Sequence, residues 1–325
     1  MRRRDLIALL GAAAGWPLAA RAQPAANPVI GFLNGASPDL SAHLVRPFHE
    51  GLGEAGFVDG RNVTIEFRWA NGQYDRLPAL AADLVRRQVT VIAATSTPTG
   101  LPAKAATSTI PIVFVTGSDP VELGLVASMN RPGGNLTGVT TLAVELGQKR
   151  LELLRELVPK ATLIAALVNP TGPNLETVLR DLRAAARTLG LPLHILHASS
   201  ERDFDTVFAN LAQLRAGALV IGTDTFFNSR SPQIAALTVR HAVPAIYQYR
   251  EFAAAGGLLS YAGSITDAYR LAGVYTGRVL KGEKPADLPV QRSTKAELFV
   301  NRKTAKRLGI TIPQSILLRA DEVIE

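Results

Sequence analysis

The sequence predicts an α/β protein: two doubly wound parallel-sheet lobes joined by a multi-strand hinge. Three observations carry that prediction. Strand-like and helical segments alternate with short connections along most of the 325 residues, the order that builds parallel sheets covered by helices. The strand segments include unbroken apolar runs such as Val29-Ile30-Gly31-Phe32-Leu33, as expected where both faces of a sheet are covered. The alternation begins a second time after the Gly/Pro-rich join Arg131-Pro132-Gly133-Gly134-Asn135, and a chain of this length fits two domains.

Residues 1–22 read as a secretory signal peptide rather than as part of the fold. Arg2-Arg3-Arg4 is a positive start, residues 6–14 are apolar, and Ala20-Arg21-Ala22 places small residues at a cleavage site before Gln23. The apolar run is shorter than the ~20 residues of a membrane span. The paired arginines suggest twin-arginine export, although Asp5-Leu6 matches that signal poorly. A lipoprotein anchor needs a cysteine at the cleavage site, and the chain has none. The same absence excludes disulfides, Cys metal sites and Cys nucleophiles. The formal charge of +8 falls to +5 once the leader's four arginines and one aspartate are removed. The remaining cations are scattered as on solvated helix faces, without the basic stripe that nucleic-acid binding needs.

After the first strand, Leu40, Leu44, Phe48 and Leu52 form one stripe of a helix, with Gly56 as its left-handed stop. Val63, Ile65 and Phe67 alternate with polar residues, predicting a strand near a sheet edge. Leu77, Leu80, Leu84 and Val85 mark the next helix, and residues 89–94 and 110–115 are buried strands with a small helix between them. In the second half, Leu151, Leu154 and Leu157 lie on a helix and residues 163–168 form a strand. Leu175, Val178, Leu179, Leu182 and Leu189 make the clearest helical stripe, stopped by Gly190 and Pro192. Residues 193–196, 218–221 and 245–247 complete the strand set, with Phe204, Val207, Phe208 and Leu211 on an intervening helix. The tail adds a strand at 258–261, a helix at 267–280 and an extended piece at 288–290. The expected division is 28–138 plus 257–287 for the N-terminal lobe and 139–256 plus 288–325 for the C-terminal lobe.

In open parallel sheets, ligands sit beyond the carboxyl ends of the strands. The candidates there are Asn34 and Ser37 after the first strand, and Thr95, Ser96 and Thr97 after the third. Ser118 and Asp119 follow the fourth, Asn169 and Thr171 open the second lobe, and Asp224 and Phe226 follow a later strand. Tyr247, Tyr249 and Tyr261 are candidates for a wet aromatic wall. Hydroxyls, amides and helix N-terminal N–H groups suit a carboxylate; Asp119 or Asp224 can receive an ammonium. Helix capping is an equally open reading of Ser37 and Thr97, and the stronger reading of Asp119, whose Glu122 stands three residues on.

Catalytic motifs fail their tests. Gly51-Leu52-Gly53-Glu54-Ala55-Gly56 spells G-x-G-x-x-G but falls at the end of a helix rather than between strand and helix. No P-loop or G-x-S-x-G elbow occurs. His194 and His197, three apart on a strand, point to opposite faces. No metal, cofactor or catalytic residue is expected.

The chain resembles the ABC-transporter substrate-binding proteins of the tryptophan/tyrosine-type family. The carriers are Ile110-Pro111-Ile112-Val113-Phe114, Ser118-Asp119-Pro120-Val121 and Arg131 through Gly138. Further on stand Ala255-Gly256-Gly257-Leu258-Leu259-Ser260-Tyr261, Leu288-Pro289-Val290, and Leu317 to the terminal Glu325. The resemblance implies the type I periplasmic binding fold with three crossovers. It also implies an amino acid or related carboxylate held between the lobes of a periplasmic receptor, which is delivered to a membrane ABC permease. A monomer without nucleic-acid partners fits that picture. Ala262 and Ala296 depart from the family pattern, which bears on the ligand rather than the fold. Two alternatives stay open: a periplasmic ligand sensor for a receptor kinase, and a secreted α/β hydrolase.

Overall fold

The computed structural model describes residues 27–292 and 296–325; the leader expected at 1–22 lies outside them. The first lobe opens with β1 (Val29–Asn34), α1 (Pro38–Glu54), β2 (Thr64–Trp69), α2 (Leu77–Arg86), β3 (Val91–Ala94) and α3 (Gly100–Ala106). β4 (Ile112–Thr116) and β5 (Leu136–Thr140) complete its first pass. The second lobe follows as α4 (Gly147–Leu157), β6 (Ile164–Val168), α5 (Leu175–Thr188), β7 (Leu193–His197), α6 (Asp203–Leu214) and β8 (Ala218–Ile221). It continues through α7 (Thr225–Ser229), α8 (Ser231–Arg240), β9 (Ala245–Tyr247), α9 (Arg250–Ala254) and β10 (Leu259–Gly263). The chain then returns to the first lobe for α10 (Ile265–Leu280) and β11 (Gln291–Arg292). It ends in the second with β12 (Ala296–Asn301), α11 (Arg302–Arg307), α12 (Gln314–Leu317) and β13 (Glu322–Ile324).

Among the described residues the first sheet has the order β11-β5-β4-β3-β1-β2 and the second β13-β12-β10-β9-β8-β6-β7. Every pairing is parallel except β10 with β12. Each sheet is covered on both faces. One face of the first carries Phe32, Phe48 and Tyr269 under α1 and α10; the other carries Leu33, Leu84 and Phe114 under α2 and α3. Phe32 and Phe48 meet edge-on at 5.2 Å and neither is exposed to solvent; burying such a ring contributes about 1.5–3 kcal/mol. Gly56 ends α1 with φ +88°, and the next amide, Phe57 N–H, donates to Leu52 O at 3.0 Å. That is the glycine-capped helix end expected from the sequence, and it accounts for the last glycine of the G-x-G-x-x-G spelling.

The lobe boundaries differ from the sequence expectation in three places. β5 extends the first lobe to Thr140 rather than 138. Its run is interrupted by Gly138, where a Cβ would stand 2.2 Å from Phe114 O of β4, so close strand packing hides this strand from a search for apolar runs. Residues 259–263 belong to the second sheet, pairing with Ile246 and Tyr247 on one side and with β12 on the other. Leu288-Pro289-Val290 stays with the first lobe: Val290 N–H donates to Met129 O at 2.7 Å and Thr137 Oγ1 to Leu288 O at 2.7 Å. The chain therefore crosses between lobes after Thr140, around Ser264, and between Arg292 and Ala296. At the first crossing Leu142 takes φ +47°, a left-handed conformation rare for a branched residue.

Candidate binding cleft between the lobes

The loops after β1, β3 and β4 face those after β8 and β9 and enclose about 660 Å³, mouth included. Asn34, Thr95, Ser96 and Thr97, all expected from the sequence, line the first-lobe wall with Thr116 and Gly117. The first turns of α1 add Leu40, Ser41, His43 and Leu44. The second lobe supplies Thr223, Thr225, Asn228, Ser229, Tyr249, Glu251 and Phe252, and α10 adds Ile265 and Tyr269.

The first-lobe wall is held by its own hydrogen bonds. Asn34 Nδ2 donates to Thr95 Oγ1 at 2.9 Å and to the Tyr269 hydroxyl at 3.0 Å, while its Oδ1 accepts from Ala36 N–H at 2.8 Å. Gly35 N–H donates to Ser96 Oγ and Gly117 N–H to Thr97 Oγ1, both at 3.0 Å. Ser96 also caps the turn that follows, with Thr99 as its reciprocal partner. α1 starts at the cavity with Pro38 in its first turn, and its N-cap Ser37 makes no side-chain capping bond. The first-turn amides near Leu40 and Ser41 thus lack a side-chain acceptor, the arrangement in which a helix start receives a carboxylate. Opposite, Glu251 Oε1 accepts from Thr266 Oγ1 at 3.3 Å, while its Oε2 is buried without a partner.

The remaining expected residues stand off the cavity wall. Asp119 accepts from Val121 and Glu122 amides at 2.7 and 3.3 Å, a capping-type turn with no α-helix behind it. Ser118 Oγ accepts from Asn174 Nδ2 at 3.2 Å. Thr171 is exposed and donates to Asn169 Oδ1. Phe226 stacks on Phe204 with centroids 5.7 Å apart, and Phe227 is wholly buried, so neither ring of the pair enters the cavity. Tyr247 is a correction to the expected wet wall. It is sealed in the core, stacked on Phe252 at 4.7 Å and bonded to Thr238 Oγ1 at 2.6 Å. Tyr261 packs against the second-lobe core beside α4. β10 lies inside the second sheet, so alternate residues there point into the covering helices.

Asn169 and Asp224 serve the contact between lobes. Asn169 Nδ2 donates to Asp224 Oδ1 at 2.9 Å, Phe226 N–H donates to it at 2.8 Å, and Tyr74 of the first lobe reaches it at 3.0 Å. Burial pushes the Asp224 carboxyl above its ordinary range, opposed by those three donors. Burial and the neighbouring carboxylate also raise the Tyr74 phenol, which therefore stays protonated and donates. Asn174 to Ser118, Tyr249 to Thr141 at 2.9 Å, and Arg180 to Glu122 add further bridges. The lobes are closed on one another.

Sequence reasoning missed His43, Ser41, Asn228, Glu251 and Tyr269 as wall residues. His43 and Tyr269 lie inside helices, where the hydrophobic stripe masks a polar position; only the polar run after β9, Gln248-Tyr249-Arg250-Glu251, offered a signal. Among the described residues no group of three or more His, Cys, Asp or Glu is placed to hold a metal, and no helix is long and apolar enough to cross a membrane.

Comparison with known proteins gives a consistent result. The family described as ABC transporter substrate binding protein matches residues 29–324. A tyrosine-binding protein of Clostridioides difficile (strain R20291) is 28% identical over 264 residues, covering 81% of this chain and 75% of that protein. The structure superposes with TM-score 0.81 on a Streptococcus pneumonia ABC domain in complex with L-Trp, 28% identical over 92% of this chain and all of that one. A ligand-free, open substrate-binding protein from Clostridium difficile gives 0.63 at 25% identity, over 91% of this chain and 99% of that one.

Proposed function

This chain belongs to the ABC transporter substrate-binding protein family, and from that premise we propose that it captures an amino acid between its lobes for delivery to an ABC importer. The observation that carries the ligand class is the pairing of unlike poles in one cavity. The uncapped start of α1 with Thr95, Ser96 and Thr97 suits a carboxylate, and Glu251 with its unpartnered oxygen suits an ammonium. Leu40, Leu44, Phe252 and Ile265 offer the side chain an apolar wall. The tyrosine-binding relative and the L-Trp complex favour the same ligand class.

Proteins of this family work outside the cytoplasm; export through the leader at 1–22 and action as a monomer are part of the proposal. A ligand that touches both walls stabilises the closed form by its differential affinity for that form. The better superposition on the ligand complex than on the open relative supports such a cycle. Two observations favour binding over hydrolysis: Ser118 accepts from Asn174 Nδ2, and neither it nor Ser37, the strand-end serines a hydrolase could use, lines the cavity.

Thermal shift with the proteinogenic amino acids, followed by calorimetry, tests the reading. At one hundred times its dissociation constant a ligand stabilises by about 2.7 kcal/mol, and at least one aromatic or large apolar amino acid is expected to do so. Stabilisation only by sugars or other solutes without a carboxylate would overturn it.

A further inference from the structure

Arg150 projects from α4 into the second lobe and is 2% exposed, the largest fully buried side chain among the described residues. Its neighbours Leu151, Leu153 and Leu154 are equally buried. Among the described residues no carboxylate pairs with it. Its Nη1 donates to Ala143 O at 2.7 Å and Tyr261 O at 3.3 Å, its Nη2 donates to Thr223 Oγ1 at 3.2 Å, and its Nε has no partner. A buried cation whose hydrogen bonds go only to neutral acceptors is costly unless an opposite charge reaches it.

The place of these partners gives the cation a use. Ala143 lies on the first crossing between lobes, Tyr261 lies just before the second, and Thr223 is on the cavity wall. Thr223 Oγ1 also donates to Ala143 O at 3.3 Å. The guanidinium is thus one residue behind the cavity, fastened to the first crossing and to the strand that leads into the second. Burial pulls it down to about 10, against the opposing fields of Tyr249 and Glu145, so it remains charged near neutral pH. Glu145 is itself occupied by Asp119 N–H at 2.8 Å.

We infer that Arg150 is a positioning residue that selects ligands carrying a carboxylate, the ligand bringing into the closed cleft a negative charge where the guanidinium's own contacts are all neutral. The inference rests on the amino-acid reading and sharpens it. The guanidinium acts through Thr223 and through space, and its bonds to Ala143 and Tyr261 hold it in place behind that residue.

The test uses the mature chain, wild type and Arg150→Lys and Arg150→Met, with two matched pairs of probes measured by calorimetry. L-tyrosine against L-tyrosinamide varies the carboxylate with the amine kept; 4-hydroxyphenylacetate against its amide varies it with the amine absent. In wild type the acid of a binding pair should exceed its amide by about tenfold or more, the scale of a desolvated charge interaction. Arg150→Met should bring the ratio close to one, and Arg150→Lys should keep most of it. A wild-type ratio near one, or a ratio unchanged in folded Arg150→Met, overturns the inference. Should Arg150→Met fail to fold, a wild-type ratio near one still overturns it, as does a ratio in Arg150→Lys higher than in wild type. Binding of the amine-free acid but not of L-tyrosine removes the amino-acid reading and leaves the role of Arg150 standing. Binding of the two amides alone removes both.

Discussion

Tyr74 Oη donates to Asp224 Oδ1 at 3.0 Å across the cleft, and the Phe226 amide donates in turn to both of those oxygens. Tyr74 belongs to the turn before α2 and Asp224 to the turn before α7, so the bond exists only when the lobes are closed. It is a latch made from one phenol and one buried carboxylate.

Tyr74→Phe removes the donor and leaves Asp224 with its two intralobe partners. A hydrogen bond to a charged group contributes about 1.5–3 kcal/mol. The expected result is ligand affinity lower by about ten- to 150-fold, with a larger radius of gyration by small-angle scattering in the absence of ligand. Unchanged affinity and unchanged scattering would show that the latch does not hold the lobes.

The raised Asp224 carboxyl fixes a direction of pH dependence. Its proton is held more firmly in the folded, closed protein than in the unfolded chain, where an aspartate titrates at about 3.9. Its contribution is therefore full below that value and declines as pH rises through the raised native value. Asp224→Asn keeps an acceptor for Tyr74 and Phe226 and turns a donor toward the acceptors around Gly172. A Cβ there would lie 2.9 Å from Asp224 Oδ2, 3.3 Å from Asn169 O and 3.4 Å from Asn174 Oδ1. The melting temperature of the Asn variant should gain on wild type as pH rises from about 4 to 7. A flat difference across that interval would contradict the assignment.

Much of the fold was legible because buried parallel strands write themselves as short apolar runs, and β1, β4, β6 and β8 do so. β5 escaped because Gly138 breaks its run for the sake of Phe114. The order of the tail escaped because the antiparallel pairing of Leu259 with Val300 is long-range and carries no local signal. At the site, Asn34, Thr95, Ser96 and Thr97 were legible as polar residues at strand ends. Tyr247 obeys the same rule by position, yet its ring turns into the core. The partnership of Tyr74 and Asp224, 150 residues apart, has no trace in local sequence.

The first glycine of the misleading G-x-G-x-x-G spelling has a packing role that can be measured. A Cβ on Gly51 would lie 1.8 Å from Arg270 O, and one on Gly273 would lie 2.1 Å from Phe48 O, so α1 and α10 touch backbone to backbone. Gly273→Ala gains about 1 kcal/mol of helix propensity, but the helices must separate, and overpacking costs typically 1–3 kcal/mol and occasionally more. The net loss of about 1 kcal/mol corresponds to a fall in melting temperature of about 2–4 °C. Gly53→Ala, on α1 with nothing within 4 Å, should be neutral or stabilising. Equal effects at both positions would refute close helix packing as the cause.

Glu251 separates the ligand proposal from a generic polar cleft. Its Oε2 is buried and unpartnered at the cavity wall, and an unpaired carboxylate oxygen there is costly until an ammonium meets it. Glu251→Gln removes the charge and keeps the shape. Truncating one partner of a buried charge pair costs about 2–5 kcal/mol, so amino-acid affinity should fall at least about thirtyfold. The amine-free analogue has no such pair to lose and should bind the variant as well as it binds wild type, or better. Calorimetry on both ligands decides the matter: an equal loss for the two would move the ammonium away from Glu251 and leave the cavity with only its carboxylate pole.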